Sequence, residues 1–76
     1  MRWMELIEQA GGLARIRGTG LPVAVVLDNL AAGVSIDTLL RSYPALSHAA
    51  VLAALAFAAD LARRTSRRER EGAAGP

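Results

Sequence analysis

One glycine and one proline cut the middle of this chain into three apolar stripes, and each stripe has helical spacing. Val23, Val26, Leu27 and Leu30 fall at i, i+3, i+4 and i+7, positions that share one side of an α-helix. Gly33 follows, and glycine accepts the positive φ at which helices commonly stop. Ile36, Leu39, Leu40 and Tyr43 repeat the spacing up to Pro44, whose ring forces Tyr43 out of the helical region. Val51, Leu52, Leu55, Phe57, Ala58 and Leu61 then carry a third helix from about His48 to Arg64. The starts are marked as well. Pro22 suits the first residue of a helix, where its missing N–H costs nothing. Ser35 and Ser47 are good N-caps. Val34 with Leu39, and Leu46 with Val51, are spaced to staple the chain across each cap. A mainly α, three-helix bundle is predicted.

The third helix is apolar nearly all round, because Ala49, Ala50, Ala53, Ala54, Ala56, Ala59 and Ala62 fill the positions between the large residues. Such a helix is usually covered on more than one side. One reading is contact with both the domain core and a second chain, which predicts a homodimer. The other is that alanine is simply the best helix former and harmless on a surface.

Ahead of the helices the pattern is weaker. Trp3, Leu6 and Ile7 share a helix face, but Trp and Ile also suit a strand, so residues 2–8 fit either state. Gly11-Gly12 breaks whatever precedes it. Leu13 to Arg17 partly alternates apolar and polar, a strand pattern, and Gly18-Thr19-Gly20 is a turn. A short N-terminal ribbon is expected.

At 76 residues the chain holds one domain. Residues 1–64 are its expected extent. Residues 65–76 are charged, end in Gly72-Ala73-Ala74-Gly75-Pro76, and have little to bury, so a flexible tail is expected there. The foldable part, about 60 residues, is a marginal core that often needs a staple or a partner. The sequence has no Cys, so a disulfide cannot serve, and a reducing, cytoplasmic setting fits. No signal-peptide core is visible, and the apolar run Ala49 to Ala59 is shorter than the ~20 residues of a membrane span.

Every cation is Arg, and five of the nine, Arg63, Arg64, Arg67, Arg68 and Arg70, stand near the C-terminus. The cluster suits phosphate or carboxylate. It equally suits a solvated helix end, where cations complement the dipole.

The usual chemical motifs are absent. Gly12 and Gly18-Thr19 lack both the Lys and the spacing of a phosphate-binding loop, and Leu21-Pro22-Val23 after Gly20 fails the dinucleotide fingerprint. His48 is the single His, too few ligands for a metal site of the zinc type. An enzyme is the least favoured class, and no cofactor is implied. Nucleic acid is a more serious candidate. The second and third helices, joined by Tyr43-Pro44-Ala45-Leu46, have the layout of a helix-turn-helix. Of the residues that would reach base edges, Ser47, His48, Ala49, Ala50 and Ala53, only Ser47 and His48 can hydrogen-bond to a base and Ser47 is taken up as a cap, so strong sequence readout is not expected. Arg15, Arg17 and Arg41, with His48, are the candidate nucleic-acid contacts, mostly to phosphate.

Several segments together resemble a known family. They are Arg15-Ile16-Arg17-Gly18-Thr19-Gly20-Leu21-Pro22-Val23, Leu27-Asp28-Asn29-Leu30-Ala31-Ala32-Gly33-Val34-Ser35-Ile36, Leu39-Leu40-Arg41-Ser42-Tyr43-Pro44-Ala45-Leu46-Ser47 and Val51-Leu52-Ala53-Ala54-Leu55-Ala56-Phe57-Ala58-Ala59. The chain is similar to the bacterial domain-of-unknown-function family numbered 433 over about Gly11 to Leu61. The resemblance implies a homeodomain-like fold with a short N-terminal strand region, and an antitoxin-like, VapB-type partner of a PIN-type ribonuclease encoded nearby. Two departures stand out: Gly20 replaces the family's usual Arg, and His48, Ala49 and Ala50 replace acidic residues. PIN nucleases hold Mg²⁺ with clustered carboxylates, and guanidinium pairs with carboxylate through two parallel bonds. Arg63, Arg64, Arg67 and Arg68 are therefore the candidate toxin contacts. Promoter DNA is a further expected partner. A small DNA-binding regulator and a dimeric adaptor are the alternatives.

Overall fold

The computed structural model describes the backbone of residues 2–74 and the side chains of residues 2–65. A single 3₁₀ turn, Trp3–Glu5, leads into strands β1 (Ile7–Ala10) and β2 (Leu13–Ile16), followed by helices α1 (Val23–Ala31), α2 (Ile36–Ser42) and α3 (His48–Ala74). The undecided segment 2–8 is thus both things in turn, one helical turn and then a strand. The two strands form an antiparallel ribbon with Ile7 opposite Ile16 and Ala10 opposite Leu13. Its two-residue loop is Gly11-Gly12, both at positive φ (60° and 79°), the geometry that matches the twist of a tight hairpin.

The ribbon is tied to α1 by a short return. Ile16 N–H donates to the Leu21 carbonyl at 2.8 Å. The Thr19 hydroxyl donates to Ile16 C=O and accepts from Leu21 N–H. Pro22 bridges to Arg15 and stays extended, at φ −63° and ψ 139°, as the N-cap of α1. The expectation of Pro22 inside the first turn is corrected by one residue. Pairing with β2 holds its ψ outside the helical range, so the helix starts at Val23.

α1 ends at Gly33, φ 90°. Val34 N–H donates to Asn29 C=O and Gly33 N–H to Leu30 C=O, both at 3.0 Å, so the last carbonyls find partners in a Schellman arrangement. One residue later Ser35 caps α2, its hydroxyl accepting from Thr38 N–H at 3.1 Å. Val34 therefore serves as the last residue of one helix stop and the first of the next start. Replacing Ser35 by Ala is expected to lower stability by about 1 kcal/mol, read as a shift in the urea midpoint at unchanged slope. Ser47 repeats the device on α3, accepting from Ala50 N–H at 3.0 Å.

The third helix runs past its expected end at Arg64 to Ala74. No Pro or Gly interrupts it before Gly72, and Arg and Glu are good helix formers. The charged stretch expected as a separate tail thus continues the α3 backbone to Ala74.

The core gathers from both strands and all three helices: Ile7 and Ile16 from the ribbon, Val23 and Val26 from α1, Leu39 from α2, Leu46 from the following turn, and Ala50, Val51, Ala53 and Ala54 from α3. Leu27, Leu30, Ile36, Leu40 and Tyr43 pack against it half-buried. The α3 contribution is mostly alanine, so the helix can lie close against its neighbours. The described residues bury no charged or polar side chain, and none of their buried side-chain N or O atoms lacks a hydrogen-bond partner. Among the described residues no helix is long and apolar enough to cross a membrane.

Candidate interaction surface

α3 has two apolar faces, and only one is covered. Ala50, Val51, Ala53 and Ala54 point into the core, with Phe57 at the edge of it. Phe57 meets Trp3 of the 3₁₀ turn edge-on, ring centres 4.9 Å apart at 77°. This N-terminal turn closes the core from below and marks where the body of the domain ends along the helix. Leu61 lies one turn further on the same side and is half exposed.

The opposite face carries Leu52 (37% exposed) and Leu55 (41% exposed), followed by exposed Ala59 and Ala62. A 3.6-residue turn places residues 52, 55, 59 and 62 in one line. His48 and Ala49 begin the line, also exposed. Large apolar side chains aligned on the outside of a small domain mark a contact surface more often than scattered ones do.

Basic residues adjoin the apolar line at its C-terminal end. Arg63 and Arg64 are largely exposed and share one acceptor, Asp60, at 3.7 Å and 3.0 Å. Such i, i+3 and i, i+4 surface pairs contribute a few tenths of a kcal/mol, roughly, so another carboxylate can replace Asp60 at small cost. The side chains of Arg67 and Arg68, the other two candidate toxin contacts, lie outside the described residues.

The four candidate nucleic-acid residues are dispersed over the fold. Arg15 and Arg17 flank buried Ile16 and so project to the outer face of the ribbon. Arg15 donates to the Gly20 carbonyl at 2.8 Å and Arg17 pairs with Glu8 at 3.5 Å. Arg41 is exposed in the last turn of α2, and His48 is exposed in the first turn of α3. What continues from His48 along the exposed face of α3 is Ala49, Leu52 and Leu55, a surface without donors for base edges or phosphate.

A cleft of about 170 Å³ opens between the Thr19–Leu21 return and the Tyr43–Leu46 turn. It is smaller than the roughly 300–1,000 Å³ of small-molecule sites. Among the described residues no group of three His, Cys, Asp or Glu side chains gathers where a metal ion could be held.

Sequence reasoning found the apolar helix and expected it to be covered on more than one side, but did not assign Leu52 and Leu55 to either face. Their exposure was signalled only by their 3–4 spacing with Ala59 and Ala62, out of phase with Val51, Ala54 and Phe57. No curated protein and no solved structure matches the chain. A family model described as "Protein of unknown function (DUF433)" matches residues 7–58, from the ribbon through the core-facing part of α3. That span is more than half of the chain, and this protein belongs to the DUF433 family.

Proposed function

We propose that this protein is a non-catalytic, homodimeric binding subunit that docks on a metal-dependent nuclease of the PIN type and restrains it, as a VapB-type antitoxin does. The observation that carries the reading is the exposed Leu52–Leu55 face of α3, which leads along one helix into Arg63 and Arg64. That apolar face supplies the burial of the homodimer, and the arginines that follow it on the same helix supply recognition of the nuclease carboxylates. In the proposed complex the guanidinium groups leave Asp60 for the acidic residues that would otherwise hold the nuclease metal. A planar fork matches a carboxylate better than an ammonium does, and inside a partly desolvated site the pairing is stronger than on this surface.

A promoter-binding role is the second reading. It is supported by the order α2, turn, α3, the order in which a helix-turn-helix would run. The apolar start of the α3 outer face weighs against it.

The test is co-purification of the tagged chain expressed with its flanking genes, followed by nuclease assay. A nuclease recovered in stoichiometric amount and inactive in the complex supports the reading. Replacing Arg63, Arg64, Arg67 and Arg68 by Ala is expected to restore its activity at least tenfold. Full inhibition by that variant removes the arginine mechanism, and recovery of the protein alone removes the nuclease partner.

A further inference from the structure

We propose that α3 pairs with α3 of a second copy in antiparallel orientation, in a register that sets Leu52 of one chain against Ala62 of the other and Leu55 against Ala59. The inference specifies the dimer put forward above and rests on that part of the reading; it does not depend on a nuclease.

Three features of the helix carry it. The first is spacing. Residues 52, 55, 59 and 62 are separated by three, four and three, the alternation of a two-helix seam. All four are exposed, so the seam is not used within the chain.

The second is self-complementarity. The common interface between two identical copies uses the same patch on both, so that patch must fit itself. This one has two large side chains at its N-terminal end and two small ones at its C-terminal end. Antiparallel pairing places a leucine opposite an alanine in every layer, which lets side chains interdigitate. Parallel pairing would put leucine on leucine in two layers and alanine on alanine in the next two. The helices would then touch at one end and gape at the other.

The third is charge. Arg63, Arg64, Arg67, Arg68 and Arg70 all follow the seam. A parallel pair would stack the two clusters side by side. In the antiparallel register the two copies of Arg63 stand twelve residues apart along the axis, roughly 18 Å at 1.5 Å per residue. That exceeds the ~8 Å screening length at physiological salt. The arginine segments then project from opposite ends of the pair.

The seam itself is about 15 Å long. An interface of that length falls short of the ~800 Å² per partner of standard stable complexes. The dimer is therefore concentration-dependent, forming at high protein concentration and separating on dilution.

The experiment uses the absence of cysteine from the native chain, which makes any disulfide a reporter of introduced positions. Leu52→Cys and Ala62→Cys chains with different tags are mixed and gently oxidised. The expected result is a mixed disulfide from the pair and none from Leu52→Cys alone, since the two copies of residue 52 would lie roughly 15 Å apart, beyond the ~7 Å Cα limit for a bridge. Cross-linking of Leu52→Cys with itself but not with Ala62→Cys would overturn the antiparallel register. In parallel, sedimentation equilibrium of the native chain is expected to rise with concentration from 8.0 kDa toward twice that mass. Leu55→Arg should hold it at the single-chain mass with unchanged far-ultraviolet circular dichroism, because Leu55 is exposed. A native chain that stays at one mass throughout, together with no mixed disulfide between the Leu52→Cys and Ala62→Cys chains, would refute the pairing. Neither assay contains a nuclease, so failure here and failure of nuclease capture are read separately.

Discussion

Leu39→Ala is expected to leave most of the chain unfolded at 37 °C. Leu39 is 1% exposed and is the one fully buried residue of α2. It sits at the fourth position of that helix, spaced to staple Val34 across the Ser35 cap, and Val34 packs against the same core. Removing a buried leucine side chain costs about 2–5 kcal/mol, from lost transfer energy and the cavity left behind. A core of this size rarely supplies more than ~3–5 kcal/mol in total. The two figures are comparable, so a single truncation consumes most of the margin. Chemical denaturation followed by circular dichroism reads the effect directly. Leu39→Met, which keeps the volume, is expected to lose less than about 1.5 kcal/mol. A Leu39→Ala chain that unfolds within 1 kcal/mol of the native one would mean that α2 is held by its caps and not by its anchor.

Trp3→Ala is expected to lower stability by about 2 kcal/mol. The figure lies below the ~3–5 kcal/mol for a fully buried aromatic, because Trp3 is only half-buried. Part of the loss belongs to its edge-on contact with Phe57, worth ~0.5–1.5 kcal/mol beyond area burial. A double-mutant cycle with Phe57→Leu isolates that part. A coupling near zero would show that Trp3 covers the core without engaging Phe57. Trp3 precedes the family segment at residues 7–58, whereas Phe57 lies within it. The contact therefore joins a residue of the N-terminal turn, outside the matched span, to a helix inside it. Its loss is expected to free the turn before the helices come apart.

Much of the local structure was legible because single residues carry it. Gly33 ends α1, Ser35 and Ser47 cap α2 and α3, and Pro44 separates them, all where the sequence places them. Each of these signals acts within four residues. A positive φ, a side-chain acceptor or a missing N–H needs no distant partner. The same holds for the Gly11-Gly12 hairpin. Where a distant contact intervenes, the local reading slips. Pro22 was displaced from the first turn of α1 by its bridge to Arg15. Residues 2–8 were ambiguous because their division into turn and strand depends on β2 and on Phe57. The end of α3 was misjudged because the apolar stripe stops at Leu61 while helix propensity does not.

The candidate surface was harder to read than the fold. Composition showed an α3 apolar all round but could not tell its two faces apart. Val51 and Leu52 are adjacent in the chain and almost equally apolar, yet Val51 is fully buried and Leu52 is 37% exposed. Likewise Arg63 and Arg64 stand out in the sequence as a basic cluster, but their shared contact with Asp60 is visible only in space.

The sequence alone determined the number of helices, their caps and stops, and the hairpin, because helix periodicity and turn chemistry are properties of neighbouring residues. Only the tertiary structure decided which side of α3 is inside. The ribbon, α1 and α2 pack on the side that carries Ala50, Val51, Ala53 and Ala54, and these mostly small residues fill the core there. The leucines are thereby turned outward, onto the surface where this protein is proposed to meet its partners.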